Sequence, residues 1–122
     1  MLRMRPKTKS RRGRKLAKDD LIVGWTTVGS PEDAERLAKG LVRSKLAACV
    51  QVDEGVRSFY QWKGELCSES EVRLWVKTIR SKLAGVEFFW KKEHPYETPQ
   101  WCWLPIGGVG EEYGQWFRKA LE

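Results

Sequence analysis

The sequence has few cysteines, a single histidine and no long apolar run. Its three cysteines, Cys49, Cys67 and Cys102, form no Cys-x-x-Cys pair, which argues against a disulfide framework and a thiolate zinc site. The longest apolar stretches fall far short of the roughly 20 residues that cross a bilayer. No Gly-x-Ser-x-Gly or phosphate-binding Gly-x-x-x-x-Gly-Lys motif is present. We therefore expect free thiols in a reducing compartment, no membrane span and no enzymatic activity.

Acidic residues are absent from the first 18 positions, which hold nine of the 23 lysines and arginines. The other residues carry 14 basic and 16 acidic side chains, so the formal net charge of +7 is the sum of a strongly basic arm and a slightly acidic body. We interpret residues 1–18 as a disordered arm and residues 19–122 as one domain. Such an arm contacts anions or nucleic acid without sequence preference. Because it lacks the apolar run of a secretory signal, we expect a cytoplasmic location, with an organelle address in the arm as the alternative.

The spacing of apolar residues predicts an α+β domain of the ferredoxin-like type, βαββαβ, in which two helices cover one face of an antiparallel sheet. Runs of apolar and β-branched residues predict strands at 21–28, at 47–62 with a bulge or bend at 53–55, and at 101–106, and alternation of apolar and polar residues predicts one at 71–77. Helical spacing, with Ser30 and Ser81 as predicted N-caps, predicts helices over about 31–45, 82–94 and 111–121. The last helix is an addition to the ferredoxin-like plan.

The second predicted strand is long enough to project from the domain. At ~3.3 Å per residue it spans on the order of 50 Å, whereas a domain of 100 residues has a radius of gyration of ~13 Å. Lys63 and Gly64 predict a hairpin turn at its end, and Phe59, Tyr60 and Trp62 place aromatic rings nearby. Since exposed strand edges and aromatic rings are normally covered, we expect a closed homo-oligomer.

Four segments of the body resemble the CutA family of divalent-cation tolerance proteins. They are Lys45–Val50 (KLAACV), Ser58–Glu65 (SFYQWKGE), Glu71–Thr78 (EVRLWVKT) and His94–Gln100 (HPYETPQ). The similarity covers roughly residues 20–121 and implies a tight homotrimer whose long hairpins pair between chains, similar in architecture to the PII signalling proteins. It also implies a non-catalytic protein that binds divalent metal of the copper and zinc class, weakly, and no organic cofactor.

The matching motifs contain the side chains that we expect to bind a ligand. For Cu²⁺ or Zn²⁺ the candidates are His94, Cys49 and Glu71, since imidazole and thiolate are the ligands that these metals favour. Family members often carry a cysteine where this chain has Trp25, so one soft donor is missing here. A ligand cleft is predicted from the polar-tipped and charged residues Tyr60, Trp62, Lys77, Tyr96 and Glu97.

Other functions and roles stay open on the sequence alone. A PII-like regulatory trimer would bind a small anionic ligand in clefts between its subunits. An RNA-binding ferredoxin-like domain ranks last, because the third strand lacks the glycine and paired aromatics of an RNA-stacking strand. The individual candidates also have structural alternatives: His94, next to Pro95, would cap the carbonyls of a helix end, and Cys49 would be a small buried side chain.

Overall fold

The computed structural model describes residues 15–122, which form a four-stranded antiparallel sheet and three α-helices. The strands are β1 (Leu21–Val28), β2 (Cys49–Trp62), β3 (Glu65–Ile79) and β4 (Cys102–Pro105). The helices are α1 (Pro31–Arg43), α2 (Leu83–Glu93) and α3 (Glu111–Ala120), and a 3-10 turn at Arg80–Lys82 precedes α2. The strand order is β2-β3-β1-β4. The predicted ferredoxin-like α+β fold is confirmed.

The main core lies between one face of the sheet and helices α1 and α2. Ser30 caps α1, since its Oγ accepts a hydrogen bond from the Asp33 N–H at 3.1 Å, and Pro31 occupies the start of the helix as predicted. Side chains of β1 and β3 alternate between the two faces of the sheet, and the face toward these helices is the more deeply buried. The core is formed by Val28, Ala34, Leu37, Leu41, Ala47, Val72, Leu74, Val76, Val86 and Trp90.

The hairpin of β2 and β3 is long and has the predicted bulge and turn. Its register shifts between Asp53 and Val56, within the segment where the sequence predicts a bulge. Lys63 and Gly64 both have positive φ, 52° and 79°, which is the geometry of the type I′ turn that joins two strands through two residues. The outer part of the hairpin is exposed in the single chain, including the large apolar side chains Phe59, Trp62 and Leu66.

The other face of the sheet is covered at one end only. There Phe117 of α3 is fully buried in a second cluster with Leu21 and Leu121. Farther along the same face, Trp25 and Trp75 pair across β1 and β3 with ring centroids 5.4 Å apart, and both remain partly exposed. An aromatic sheet face that its own chain leaves partly uncovered is typical of a surface that meets another subunit.

The structure differs from the sequence prediction at several element ends. Ser81 is not an N-cap: it lies in the 3-10 turn, and α2 begins at Leu83 without a capping side chain. The Ser81 N–H instead donates to the Lys18 carbonyl at 3.0 Å, so the end of the predicted basic arm is attached to the domain. β3 extends back to Glu65, and β4 is shorter than predicted. Residues 1–14, most of the predicted arm, lie outside the described residues.

None of the helices found in residues 15–122 has the length and apolar character needed to cross a membrane.

Candidate functional site

A cavity of about 770 Å³ opens beside the end of β1, between the outer part of the hairpin and the loop that follows α2. Four aromatic rings contribute to its walls. Three of its lining residues are glutamates, and in the described part of the chain none of the lining residues is lysine, arginine or histidine. The cavity is therefore both aromatic and acidic. Its lining consists of Thr27, Ser58, Phe59, Tyr60, Trp62, Glu69, Glu71, Pro95, Tyr96, Glu97, Thr98 and Gln100.

His94 fixes the start of the loop that forms one side of the cavity. Its backbone is extended, as favoured before Pro95, so α2 ends at Glu93. The imidazole is buried: Nδ1 accepts a hydrogen bond from the Tyr96 N–H at 3.1 Å, and Nε2 lies 2.9 Å from Thr26 Oγ1. Because Nδ1 accepts, we assign the proton of the neutral ring to Nε2, which donates to Thr26. Both ring nitrogens are thus engaged, and the imidazole binds a backbone N–H rather than the helix-end carbonyls.

The burial of His94 predicts a dependence of stability on pH. Burial lowers its pKa below the usual 6.5, so the folded state disfavours the imidazolium. The unfolded chain takes up this proton first, and we expect the free energy of unfolding to fall as pH drops below about 6.5, by at most about 1.4 kcal/mol per pH unit. Urea titrations between pH 7.5 and 5 measure this slope, because carboxylates titrate mainly below that range.

The matched variant for this measurement is His94→Gln, whose amide does not titrate. It should be less stable than the wild type at pH 7.5 and should lose most of the slope between pH 6.5 and 5. Equal slopes in the wild type and in a folded His94→Gln protein would show that another group causes the dependence.

Glu71 lies in the wall of the cavity with both carboxylate oxygens engaged. Oε1 accepts a hydrogen bond from Ser58 Oγ at 2.6 Å, and Oε2 accepts one from the Tyr96 hydroxyl at 2.7 Å. The residue is only 8% exposed. Burial, together with the bond to Glu71, raises the pKa of Tyr96, so that its hydroxyl stays a donor. Each carboxylate oxygen keeps a free lone pair, so the group is held in place and can accept further bonds.

A second hydroxyl and carboxylate pair lies beside the first. The Tyr60 hydroxyl donates to Glu69 Oε1 at 2.7 Å, and this bond raises the pKa of Tyr60 to about 12. Glu69 and Glu71 are two residues apart on β3, which places them on the same face with Cα atoms ~7 Å apart. The cavity therefore holds two neighbouring carboxylates whose positions are set by tyrosine hydroxyls.

The structure brings five of the predicted site residues to this cavity and separates the others from it. The five are Tyr60, Trp62, Glu71, Tyr96 and Glu97. Cys49 and Lys77 face each other across β2 and β3, and Lys77 is six residues, roughly 20 Å, along the strand from Glu71. There Lys77 donates to the Tyr113 hydroxyl of α3 at 3.2 Å.

The three predicted metal ligands, His94, Cys49 and Glu71, do not converge within one chain. In residues 15–122 no three histidine, cysteine, aspartate or glutamate side chains are grouped to hold a metal ion. His94 is not among the residues that line the cavity, and it lies next to one that is, Tyr96, whose ring centroid is 5.3 Å from the imidazole. Ligation by His94 or Cys49 stays a prediction, and any such site needs donors from beyond the single chain or a rearranged imidazole.

Sequence reasoning missed Ser58 and Glu69 as site residues. The signal for Glu69 was present, because residues two apart on a strand share a face and Glu71 was already a candidate. Ser58 is brought opposite this region by the register of the hairpin, in which Ser58 pairs with Glu69. That register depends on the bulge, whose exact alignment the sequence does not specify.

A βαββαβ arrangement with an extended hairpin and an added C-terminal helix defines this molecule as a ferredoxin-like protein, with an aromatic and acidic cavity beside the hairpin. Residues 22–120 match the family model described as CutA1 divalent ion tolerance protein, and the chain belongs to that family.

Relatives with the same description span most of the chain. It is 38% identical over 102 residues to the divalent-cation tolerance protein CutA of Pectobacterium atrosepticum, covering 84% of this chain and 93% of that protein. It is 36% identical over 99 residues to the chloroplastic protein CutA of Arabidopsis thaliana, covering 81% of this chain but only 54% of that longer protein. The crystal structure of CutA1 from Oryza sativa superposes with a TM-score of 0.82 at 33% identity, covering 86% of this chain and 96% of that one.

Proposed function

We propose that the protein is a non-catalytic homotrimer that takes part in divalent-cation tolerance by binding cations of the copper and zinc class weakly at its acidic cavity. The observation that carries this proposal is Glu71, an almost fully buried carboxylate in a cavity whose described lining holds two further glutamates and no basic residue. A buried carboxylate that no cation neutralises is costly, so a bound cation stabilises this arrangement.

The donor set explains why the binding is expected to be weak. Carboxylate oxygens bind Zn²⁺ at about 2.0–2.2 Å, and for a given set of ligands Cu²⁺ binds more tightly than the other divalent metals of the first row. Glu69 and Glu71 supply carboxylates without the imidazole or thiolate that tight copper and zinc sites contain. His94 could join only by giving up its bond to Thr26 or to the Tyr96 N–H.

The trimer is supported by three surfaces that the single chain leaves uncovered. β2 is an edge strand of 14 residues, and unpaired edges of this length are normally covered. The outer hairpin exposes Phe59 and Trp62, and Trp25 and Trp75 are partly exposed on the sheet face. Pairing of hairpins between chains would cover the edge and the outer sides of the rings and leave the cavity as a cleft between subunits, and cyclic symmetry would close the assembly.

We place the protein in the cytoplasm, because its three cysteines are free thiols. The Arabidopsis thaliana relative is called chloroplastic, and the structure from Archaeoglobus fulgidus is described as periplasmic. The alternative is an organelle address in the basic residues at 1–18. These residues would also contact anions or nucleic acid non-specifically. Fractionation of cells that produce the full chain separates these locations.

Calorimetric titration with Zn²⁺ and Cu²⁺ tests the cation site. Glu71→Gln keeps the shape of the side chain but removes its charge, and we expect the affinity to fall at least about tenfold, or 1.4 kcal/mol. The control is Glu35→Gln, an exposed carboxylate that pairs with Lys39 on α1, and it should bind like the wild type. Equal affinity of a folded Glu71→Gln protein and the wild type would contradict the proposal. Loss of binding in Cys49→Ala but not in Glu71→Gln would show that the cation binds at the Cys49 thiol instead.

The alternative is a PII-like regulatory trimer that binds a small anionic ligand in clefts between its subunits. The cavity volume favours this reading over a single ion, because pockets for small molecules measure about 300–1,000 Å³. The charge of its lining does not suit the anionic ligand expected from the sequence, because three glutamates would repel it. Titration with common nucleotides separates this alternative from the cation site.

A further inference from the structure

We propose that the acidic cavity binds a linear aliphatic polyamine, with its ammonium groups on the carboxylates and its methylene chain against the aromatic rings. This goes beyond divalent-cation binding. It shares the glutamates with that proposal but does not require a metal.

The size of the cavity points to an organic ligand. A volume of about 770 Å³ is far more than one ion occupies and lies within the range of small-molecule pockets. The walls are formed largely by side chains of the hairpin and of the loop after α2, so the space lies between two separate elements of the chain.

The polar groups of the cavity select a cation with N–H donors. Glu71 already accepts bonds from Ser58 and Tyr96, and Glu69 accepts one from Tyr60, so both carboxylates are oriented and retain free lone pairs. Ammonium groups donate to such lone pairs with charge-assisted bonds, which are about twice as strong as neutral ones. A quaternary ammonium ion has no N–H, and an anion would meet only carboxylates as charged partners.

The arrangement of charges and rings matches several ammonium groups joined by methylene chains. Glu69 and Glu71 have Cα atoms ~7 Å apart on β3, and Glu97 comes from the loop on the other side of the cavity. Trp62 and Tyr96 also line the cavity. Aromatic rings bind both the methylene groups, by apolar contact, and the ammonium groups, by cation–π attraction of about 0.5–2 kcal/mol.

Calorimetry with spermidine on the metal-free full-length protein tests this inference. Spermidine should bind measurably at low salt and more weakly at high salt, whereas tetramethylammonium should bind at least about tenfold more weakly because it has a single charge and no N–H donors. Glu71→Gln should lower the spermidine affinity at least tenfold. Glu97→Gln in the loop should lower it severalfold, and this variant tests the site if Glu71→Gln does not fold. Glu35→Gln should leave it unchanged.

Two results would overturn the inference: spermidine binding no tighter than tetramethylammonium, or equal spermidine affinity in the wild type and in folded Glu71→Gln and Glu97→Gln proteins. Titration of the same samples with Zn²⁺ keeps the two proposals apart. Spermidine binding without Zn²⁺ binding would remove only the metal proposal, and Zn²⁺ binding without spermidine binding would remove only the polyamine. If both bind at the glutamates, saturating Zn²⁺ should displace spermidine.

Discussion

Replacing Gly24 by alanine is expected to destabilise the protein strongly, by about 1–3 kcal/mol or more. A Cβ at this position of β1 would lie 2.5 and 2.8 Å from two ring carbons of Trp101 and 2.9 Å from the Cys102 carbonyl oxygen. The ring cannot move away easily, because it packs edge-on against Trp90 of α2 with centroids 5.5 Å apart. The carbonyl belongs to β4, which pairs with β1 at this point. Relief of either contact therefore disturbs the core or the sheet.

The effect of this change should extend to the cavity, since Trp101 ends the loop that carries Tyr96 and Glu97. Thermal and urea unfolding measure the loss of stability, and cation titration measures the loss of the site. Gly107→Ala is the matched control: a Cβ there meets nothing within 4 Å, and stability should change by no more than about 0.5 kcal/mol. A Gly24→Ala protein as stable as Gly107→Ala would contradict the close packing of Trp101 on β1.

Replacing Trp25 by glutamate is expected to convert the proposed trimer into monomers. The ring pairs with Trp75 on the partly uncovered sheet face, where a second subunit would bury both. A glutamate in that interface would place an unpaired charge in apolar surroundings, which is strongly unfavourable. In the single chain the position is partly exposed, so the monomer itself can keep its fold.

Light scattering measures this change directly. The wild type should have a mass about three times 14.2 kDa, and Trp25→Glu should have a mass near that of one chain. The control is Phe88→Glu on α2, which removes an aromatic ring that is 63% exposed on the helix side and should leave the mass unchanged. A wild-type monomer, or a Trp25→Glu protein with the wild-type mass, would show that this face is not an interface.

The sequence predicts the fold well because local signals determine most of it. An apolar, β-branched run defines β1, alternating side chains define β3, Ser30 and Pro31 define the start of α1, and Lys63 with Gly64 defines the turn. The second helix start is the exception: the N–H groups of Arg80 and Ser81 donate to the carbonyls of Asp20 and Lys18 in a 3-10 turn, and α2 begins only at Leu83. Element ends that depend on tertiary hydrogen bonds are not visible in local patterns.

The candidate site could be predicted only in part, because the chemistry of a side chain does not show where the fold places it. Tyr60 and Glu71 were found through motifs on the hairpin and prove to line one cavity. Cys49 was selected as a soft donor, but the register of β2 and β3 places it opposite Lys77, far from Glu71. The bond of His94 to Thr26 joins residues 68 positions apart, so its burial and engaged nitrogens follow only from the folded chain.

Diffraction at the zinc absorption edge, from crystals grown with Zn²⁺, tests the central proposal most directly. We expect an anomalous peak in the acidic cavity, about 2.0–2.2 Å from a carboxylate oxygen of Glu71. The same peak should be absent from crystals of Glu71→Gln grown under the same conditions. A peak only at Cys49 or elsewhere on the surface, or no peak in wild-type crystals grown at saturating Zn²⁺, would contradict the proposal that Glu71 and its cavity bind the cation.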